Sequence, residues 1–180
     1  MQCRIHLVIV LKIALLSCHG QAFGVEISLE SIEQNLGYDI LLSDVRARKY
    51  NRTTTVANGT MHMYKELSND YEHSLDMFYS RLGNQQFNHL PMKLPTAGLC
   101  DFVDHIYKNY PGYMSYFVNG PQKGECPIRK RDIHVIDTEF PSEVVPPILV
   151  RNGLYKAVIR GYLHGKEVLR YTVIVKAMDG

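Results

Sequence analysis

The sequence predicts a mostly β protein, an antiparallel two-sheet β-sandwich with one α-helix near 97–110. Short segments alternate between apolar and polar residues, and Gly, Pro and Asn separate them, as is typical of antiparallel strands. Only the segment around 97–110 has apolar residues at helical spacing. Strands and helices do not alternate along the chain, which argues against a doubly wound parallel sheet.

The first 22 residues have the composition of a secretory signal peptide. Arg4 precedes an apolar stretch from Leu7 to Leu16, and small residues follow up to Ala22. A membrane anchor is the rival interpretation, but the stretch is short and interrupted by Lys12, whereas a bilayer core is ~30 Å thick. We expect cleavage, and therefore a secreted, extracellular protein with one domain over residues 23–180.

The expected cleavage changes both the charge and the cysteine content. Lys and Arg total 20 against 18 Asp and Glu, and the signal segment removes two of the cations, so the mature chain is nearly neutral. Net charge therefore gives no reason to expect nucleic acid as a partner. Cys3 and Cys18 leave with the signal segment. The remaining pair, Cys100 and Cys126, is expected to form a disulfide in an oxidising compartment.

Strand predictions follow the alternation of apolar residues along the chain. The segment Val25–Leu36 fits either a strand or a helical turn, and Asn58-Gly59 fits either a tight turn or a bulge. Residues 83–95 are expected to form a loop, and Pro146-Pro147 to break a strand. The predicted strands are Tyr38–Tyr50 with Tyr38, Ile40 and Leu42 on one face, the Thr- and Met-rich run 52–67, Tyr71–Leu82, Asp132–Phe140, and a terminal hairpin.

The terminal hairpin has a definite phase. Odd-numbered residues from Tyr155 to Leu163 and from Leu169 to Ala177 are apolar, so burying both sets requires odd residues to pair with odd residues. A two-residue turn would put the two sets out of phase. We therefore predict a three-residue loop, Leu163-His164-Gly165.

The predicted helix has a core-facing stripe of apolar residues and recognisable end signals. Thr96 is the predicted N-cap, and Pro111-Gly112 ends the helix. The stripe consists of Leu99, Phe102, Val103, Ile106 and Tyr110.

The sequence contains no assembled catalytic or metal-binding motif. None of the histidines from His62 to His164 is spaced as HxH or HxxxH, and the sequence has no CxxC, GxSxG or HExxH motif. We expect no enzymatic activity, no metal and no cofactor. The basic run Arg129–Arg131 fits a solvated loop, or a patch that meets a receptor or membrane. Asn51 and Asn58 begin Asn-X-Thr sequons and are the expected N-glycosylation sites.

Aromatic residues concentrate in a Pro- and Gly-containing stretch from Tyr110 to Phe117. Such residues are costly to expose, so they either complete the core or line a cavity. The two interpretations are equally supported by the residues alone.

A set of short motifs, in order, resembles a family of small secreted insect proteins of mostly unknown function. That family includes the CheB-type chemosensory proteins and is related to the ML-type lipid-recognition fold of ganglioside-activator proteins. The motifs are Arg-Lys-Tyr-Asn-Arg-Thr (48–53), Asn-Gly-Thr (58–60), Tyr-Glu (71–72), Leu-Pro (90–91), Gly-Leu-Cys-Asp-Phe-Val (98–103), Cys126-Pro127 and Gly153-Leu154-Tyr155.

The resemblance implies an immunoglobulin-like (ML-type) sandwich that binds a lipid-like or hydrocarbon-like molecule between its sheets, in a chemosensory role. With the residue pattern, it leads us to expect a monomeric carrier of an apolar small molecule or lipid, with a membrane receptor as a further partner. The alternative is a secreted protein-interaction module without a small ligand. The expected ligand-binding residues are Met77, Tyr79, Phe102, Ile106, Tyr113, Tyr116 and Phe117.

Overall fold

A computed structural model describes residues 25–140 and 151–179. The expected signal peptide and the Pro146-Pro147 break lie outside these ranges. Two antiparallel sheets face each other, which confirms the predicted two-sheet fold. One has the strand order β1-β10-β9-β5-β6, and the other has the order β2-β4-β8-β7 with β3 paired to β4. The strands are β1 (Val25–Leu36), β2 (Leu41–Ser43), β3 (Arg46–Lys49), β4 (Thr55–Met63), β5 (Tyr71–Ser80), β6 (Asn88–Gly98), β7 (Phe117–Val118), β8 (Asp132–Thr138), β9 (Gly153–Leu163) and β10 (Lys166–Asp179).

The terminal hairpin has the predicted phase but reaches it differently. The turn has only two residues, His164 and Gly165, with φ of 50° and 75°, so Lys166 pairs with Leu163. The predicted three-residue loop is wrong. A β-bulge at Val168 shifts the register, so that Leu169 pairs with Gly161 and odd residues pair with odd residues from there on.

Two other strand predictions need correction. The segment Tyr38–Tyr50 is not one strand, because a turn precedes β2 and residues 44–45 separate β2 from β3. Tyr38 and Ile40 were predicted to share a face, but Tyr38 is exposed and Ile40 is buried. The predicted loop 83–95 is also wrong from Asn88 onward, where β6 begins. Its prolines are tolerated because β6 is an edge strand and Pro91 and Pro95 both lie within register shifts of its pairing with β5.

The two segments that the sequence left open are both strands. Val25–Leu36 forms β1, which pairs with β10 along its length. Asn58-Gly59 lies inside β4, opposite a register shift in β8. Gly59 has φ of 146°, and a Cβ there would lie 2.6 Å from the Cα of Val45, so the close approach of the two segments requires glycine.

Helix α1 (Leu99–Asn109) is capped from outside its own sequence. Thr96 lies in β6, so the predicted N-cap is wrong; the N-cap position is Gly98, which has no side chain to cap with. The Oδ1 atom of Asn69 instead accepts hydrogen bonds from the N–H groups of Cys100 (2.9 Å) and Asp101 (3.2 Å). A long-range side chain therefore satisfies the free donors of the first helical turn.

The helix closes one end of the sandwich. Cys100 and Val103 are buried, and Tyr107 packs against the core, whereas Tyr110, predicted to face the core, is exposed. The Cys100–Cys126 disulfide is present, as predicted, with the two Cα atoms 5.7 Å apart. The buried cluster beneath the helix consists of Ile40, Leu41, Met63, Leu67, Cys100, Val103, Ile128 and Ile133.

Replacing Asn69 with alanine is expected to lower the free energy of unfolding by about 1 kcal/mol, because the first-turn donors lose their acceptor. Asn109→Ala is the matched control, since that amide bonds to His105 within the last turn of the same helix. The control should change stability by less than about 0.5 kcal/mol. Urea unfolding of both variants measures the difference, and equal losses would contradict the capping role.

Candidate functional site

An apolar cavity of about 280 Å³ lies between the two sheets. Both sheets and the segment around Phe117 contribute to its wall. The residues that line it are Leu29 and Ile32 of β1, Ile159 of β9, Tyr171 and Val173 of β10, Ser43 of β2, Ala57 and Met61 of β4, Val135 and Thr138 of β8, together with Val45, Tyr113, Tyr116, Phe117, Glu139 and Phe140.

The cavity follows from the register of the sheet that contains β1, β10 and β9. Ile159 pairs with Tyr171, and Val173 pairs with Ile32, so these residues share the face that looks toward the other sheet. Ile159 lies in a central strand and is nevertheless 37% exposed. The interior face of the sheet is therefore incompletely covered at this position.

Aromatic residues from the disulfide loop form one wall. Tyr113 and Tyr116 belong to a 3₁₀ turn, and Phe117 follows directly in β7. The Tyr113 ring centroid lies 6.0 Å from that of Tyr116 and 5.5 Å from that of Phe117, in edge-on arrangements. Burial raises the pKa of Tyr113, and the neighbouring Tyr116 adds to the effect. The wall is a packed aromatic group, and Tyr113 stays neutral.

The loop that carries this wall is held to the helix by several contacts besides the disulfide. The Tyr107 hydroxyl donates to the carbonyl of Pro121 at 2.8 Å, and the N–H of Gly124 donates to Asp104 at 2.7 Å. Glu125 forms an ion pair with Arg131. These contacts fix the position of the wall relative to the core.

Glu125 and Arg131 also bear on the basic run at 129–131. Burial tends to raise the pKa of the Glu125 carboxyl, but N–H donors from Gln122 and Arg129 and the charge of Arg131 outweigh it and lower the pKa. Arg131 is thus paired with Glu125 inside the loop, while Arg129 and Lys130 are exposed.

Of the seven expected ligand-binding residues, the structure brings Tyr113, Tyr116 and Phe117 to the cavity. The other four, Met77, Tyr79, Phe102 and Ile106, are not among the described residues that line it. The Tyr79 hydroxyl donates to the carbonyl of Asn152 at 2.7 Å, and the Phe102 ring lies 4.0 Å from that of His73.

Several cavity residues escaped the sequence reasoning. Leu29 and Ile32 belong to β1, whose structure the sequence left open. Tyr171 and Val173 were on the predicted buried face of the hairpin but were not assigned to a site. The alternation of apolar and polar residues along β10 indicated that these side chains are buried. It did not indicate which residues of the other sheet face them.

Tyr171 lies where the cavity meets the buried core. It lines the cavity and also packs against the core cluster beneath the helix. Its hydroxyl is buried and has no hydrogen-bond partner among the described residues. Burial raises the pKa of Tyr171 far above its usual range, so the phenol remains neutral.

Polar groups are few around the cavity. Ser43, Thr138 and Glu139 are the non-aromatic polar residues, and no Lys, Arg or His is found among the described lining residues. Within residues 25–140 and 151–179, no group of three or more His, Cys, Asp or Glu side chains is placed to hold a metal ion.

The two sequons differ in accessibility. Asn51 is exposed in the turn between β3 and β4, and its Oδ1 accepts from the N–H groups of Thr53 (2.9 Å) and Thr54 (2.8 Å). Asn58 is half-buried, and its Nδ2 donates to Asp137 at 2.8 Å. Glycosylation of either site stays a prediction, and Asn51 is the more accessible of the two.

Comparison with protein-family models and with curated protein sequences yields no match to this chain. In the part of the chain that the structure describes, no helix is long and apolar enough to cross a membrane.

His73 gives the fold a pH dependence that can be measured. It is 7% exposed, and burial lowers its pKa below the usual 6.5, although a hydrogen bond to the Ala97 backbone acts in the opposite direction. The unfolded chain therefore binds the proton first as the pH falls. The contribution of His73 to the free energy of unfolding should be constant above about pH 7.5 and should decline as the pH falls below the pKa of histidine in the unfolded chain.

His73→Gln is expected to remove the part of this decline in the free energy of unfolding that falls between about pH 7.5 and 5.5. The substitution removes the buried imidazole whose pKa differs between the folded and the unfolded chain. His105→Gln, at an exposed position of α1, should leave it in place. Urea unfolding at several pH values makes the comparison. A decline in the His73 variant as steep as in the wild type would show that another group is responsible.

Proposed function

We propose that this protein is a secreted, non-enzymatic carrier that holds a small hydrophobic ligand between the sheets of an ML-type sandwich. The observation that carries the proposal is the apolar cavity of about 280 Å³ between the two sheets. Cavities of this kind bind ligands by burying apolar surface, with few polar groups to orient them.

Two further features support the proposal. The aromatic wall of Tyr113, Tyr116 and Phe117 is tied to the helix by the disulfide loop, which makes a preformed site. Preformed sites do not lose affinity to the cost of ordering a loop on binding. The motif resemblance to insect chemosensory and lipid-recognition proteins agrees with a carrier role, including presentation of the ligand to a membrane receptor.

The alternative is a secreted protein-interaction module with no small ligand. It is favoured by exposed apolar side chains at the β7 edge of the sheet that contains β8. Val118 of β7 is 49% exposed and Ile136 of β8 is 62% exposed, and the pairing of Val118 with His134 places both on one face. A closed core would have favoured this alternative; the cavity favours the carrier.

The test uses two neighbouring aliphatic residues on opposite faces of β10. Val173→Phe adds bulk to the cavity wall, while Ile174→Phe adds the same ring on the opposite face and serves as the control. Butylbenzene, an uncharged probe of ten carbons, is titrated by calorimetry into the wild type and both variants. Native mass spectrometry of each protein secreted from insect cells, followed by organic extraction, identifies any ligand acquired in the cell.

We expect the wild type and Ile174→Phe to bind butylbenzene, and Val173→Phe to bind it at least about tenfold more weakly because the ring occupies the space. Thermal unfolding of both variants checks that the fold is retained. No binding of butylbenzene to the wild type and a protein free of extractable ligand would overturn the carrier proposal and favour the interaction module.

A further inference from the structure

The apolar cavity adjoins a polar groove of about 570 Å³. The groove runs along β1 and the turn between β3 and β4, and Glu139 and Phe140 line both spaces. The two spaces are therefore neighbours, and a ligand that extended from the cavity past these two residues would reach polar surroundings.

The volume of the cavity limits the apolar part of the ligand. An apolar cavity of ~150 Å³ in another protein holds one benzene molecule, which has six carbons. On that scale, a cavity of about 280 Å³ accommodates roughly ten to twelve carbon atoms. This is one short chain, far less than the two long chains of a membrane phospholipid.

The charges of the groove indicate which polar group can follow the chain. The groove is lined by three cations and three carboxylates: Lys49, Arg52, Lys176, Glu26, Glu30 and Glu139. None of the six forms an ion pair with another residue in the described part of the chain. The groove is therefore polar but has no net charge of either sign. The hydroxyls of Thr53, Thr54 and Thr55 add neutral hydrogen-bonding groups.

Glu139 and Phe140 line both the groove and the cavity, and Glu139 is the only charged residue of the described chain that does so. The carboxylate of a short fatty acid would emerge beside it, where like charges repel, and the three cations of the groove are already balanced by its three carboxylates. A hydroxylated head has no such penalty and can use the threonine hydroxyls.

We propose that the ligand is a single-chain amphiphile with a tail of about ten to twelve carbons in the cavity and a head without net negative charge in the groove. This rests on the proposed carrier function and specifies its ligand class. It excludes fatty-acid anions and two-chain lipids as the preferred ligands.

The test compares three probes: butylbenzene, which has ten carbons and no head, n-decyl glucoside, which has a ten-carbon chain and a neutral head, and decanoate, which has a nine-carbon chain and an anionic carboxylate. The one missing methylene of decanoate accounts for about fourfold in affinity, less than the expected difference. Calorimetry at neutral pH and below micelle-forming concentrations gives the affinities. We expect decyl glucoside to bind at least about tenfold more tightly than decanoate, equivalent to about 1.4 kcal/mol. In a glucoside series from eight to fourteen carbons, affinity should stop rising near ten to twelve.

Three variants locate the effect. Glu139→Gln should raise the affinity for decanoate and bring it closer to the affinity for decyl glucoside. Glu72→Gln, at an exposed position of β5, should leave the decanoate affinity unchanged.

Ser28→Tyr adds bulk to the groove on a strand, where tyrosine is well accommodated. It should weaken decyl glucoside at least about fivefold while leaving butylbenzene unaffected.

The outcomes separate the two proposals. If butylbenzene does not bind and no ligand can be extracted from the secreted protein, the carrier function itself fails, and the ligand class fails with it. If butylbenzene binds but decanoate matches decyl glucoside, or Ser28→Tyr has no effect on the glucoside, the carrier function stands and the ligand class is overturned. Affinity that keeps rising to fourteen carbons would likewise overturn the size limit.

Discussion

The Cys100–Cys126 crosslink is the constraint on which the rest of the structure depends. It closes a loop over a sequence separation of 26 residues, a restriction of the unfolded chain worth about 3.5 kcal/mol in the chain-entropy model. The helix from its second residue onward, the 3₁₀ turn and Phe117 lie within that loop. The same bond therefore anchors the helix over the core and holds the aromatic wall of the cavity in place.

The sandwich is packed at one end and incompletely filled along its length. Beneath the helix, residues of α1, of the sheet that contains β2, β4 and β8 and of the adjoining loops form a buried cluster, and partly buried residues of β5 and β10 pack against it. Beyond Tyr171 and Phe117, which touch both regions, the facing residues leave the apolar cavity. A packed end supplies stability while the apolar cavity leaves space between the sheets, and Met61, Phe117 and Tyr171 are shared by the two regions.

The sequence predicted the parts of the fold that depend on local pattern. Alternation identified the hairpin, β5 and β8, and the helix was found from its spacing. The bulge at Val168 and the cap from Asn69 were missed because both depend on partners distant in the chain or on pairing geometry. For the site, the aromatic loop was identified, but Leu29 and Val173 could not be assigned without knowing how the two sheets face each other.

The central claim is that the ligand's apolar chain lies between the sheets. The most direct measurement is a crystal structure of the protein with 10-bromodecan-1-ol, with anomalous scattering used to locate the bromine at the end of the chain. One anomalous peak is expected inside the cavity, among Tyr113, Phe117 and Val173. A bromine bound on the outer surface, or none between the sheets at saturating ligand, would contradict it.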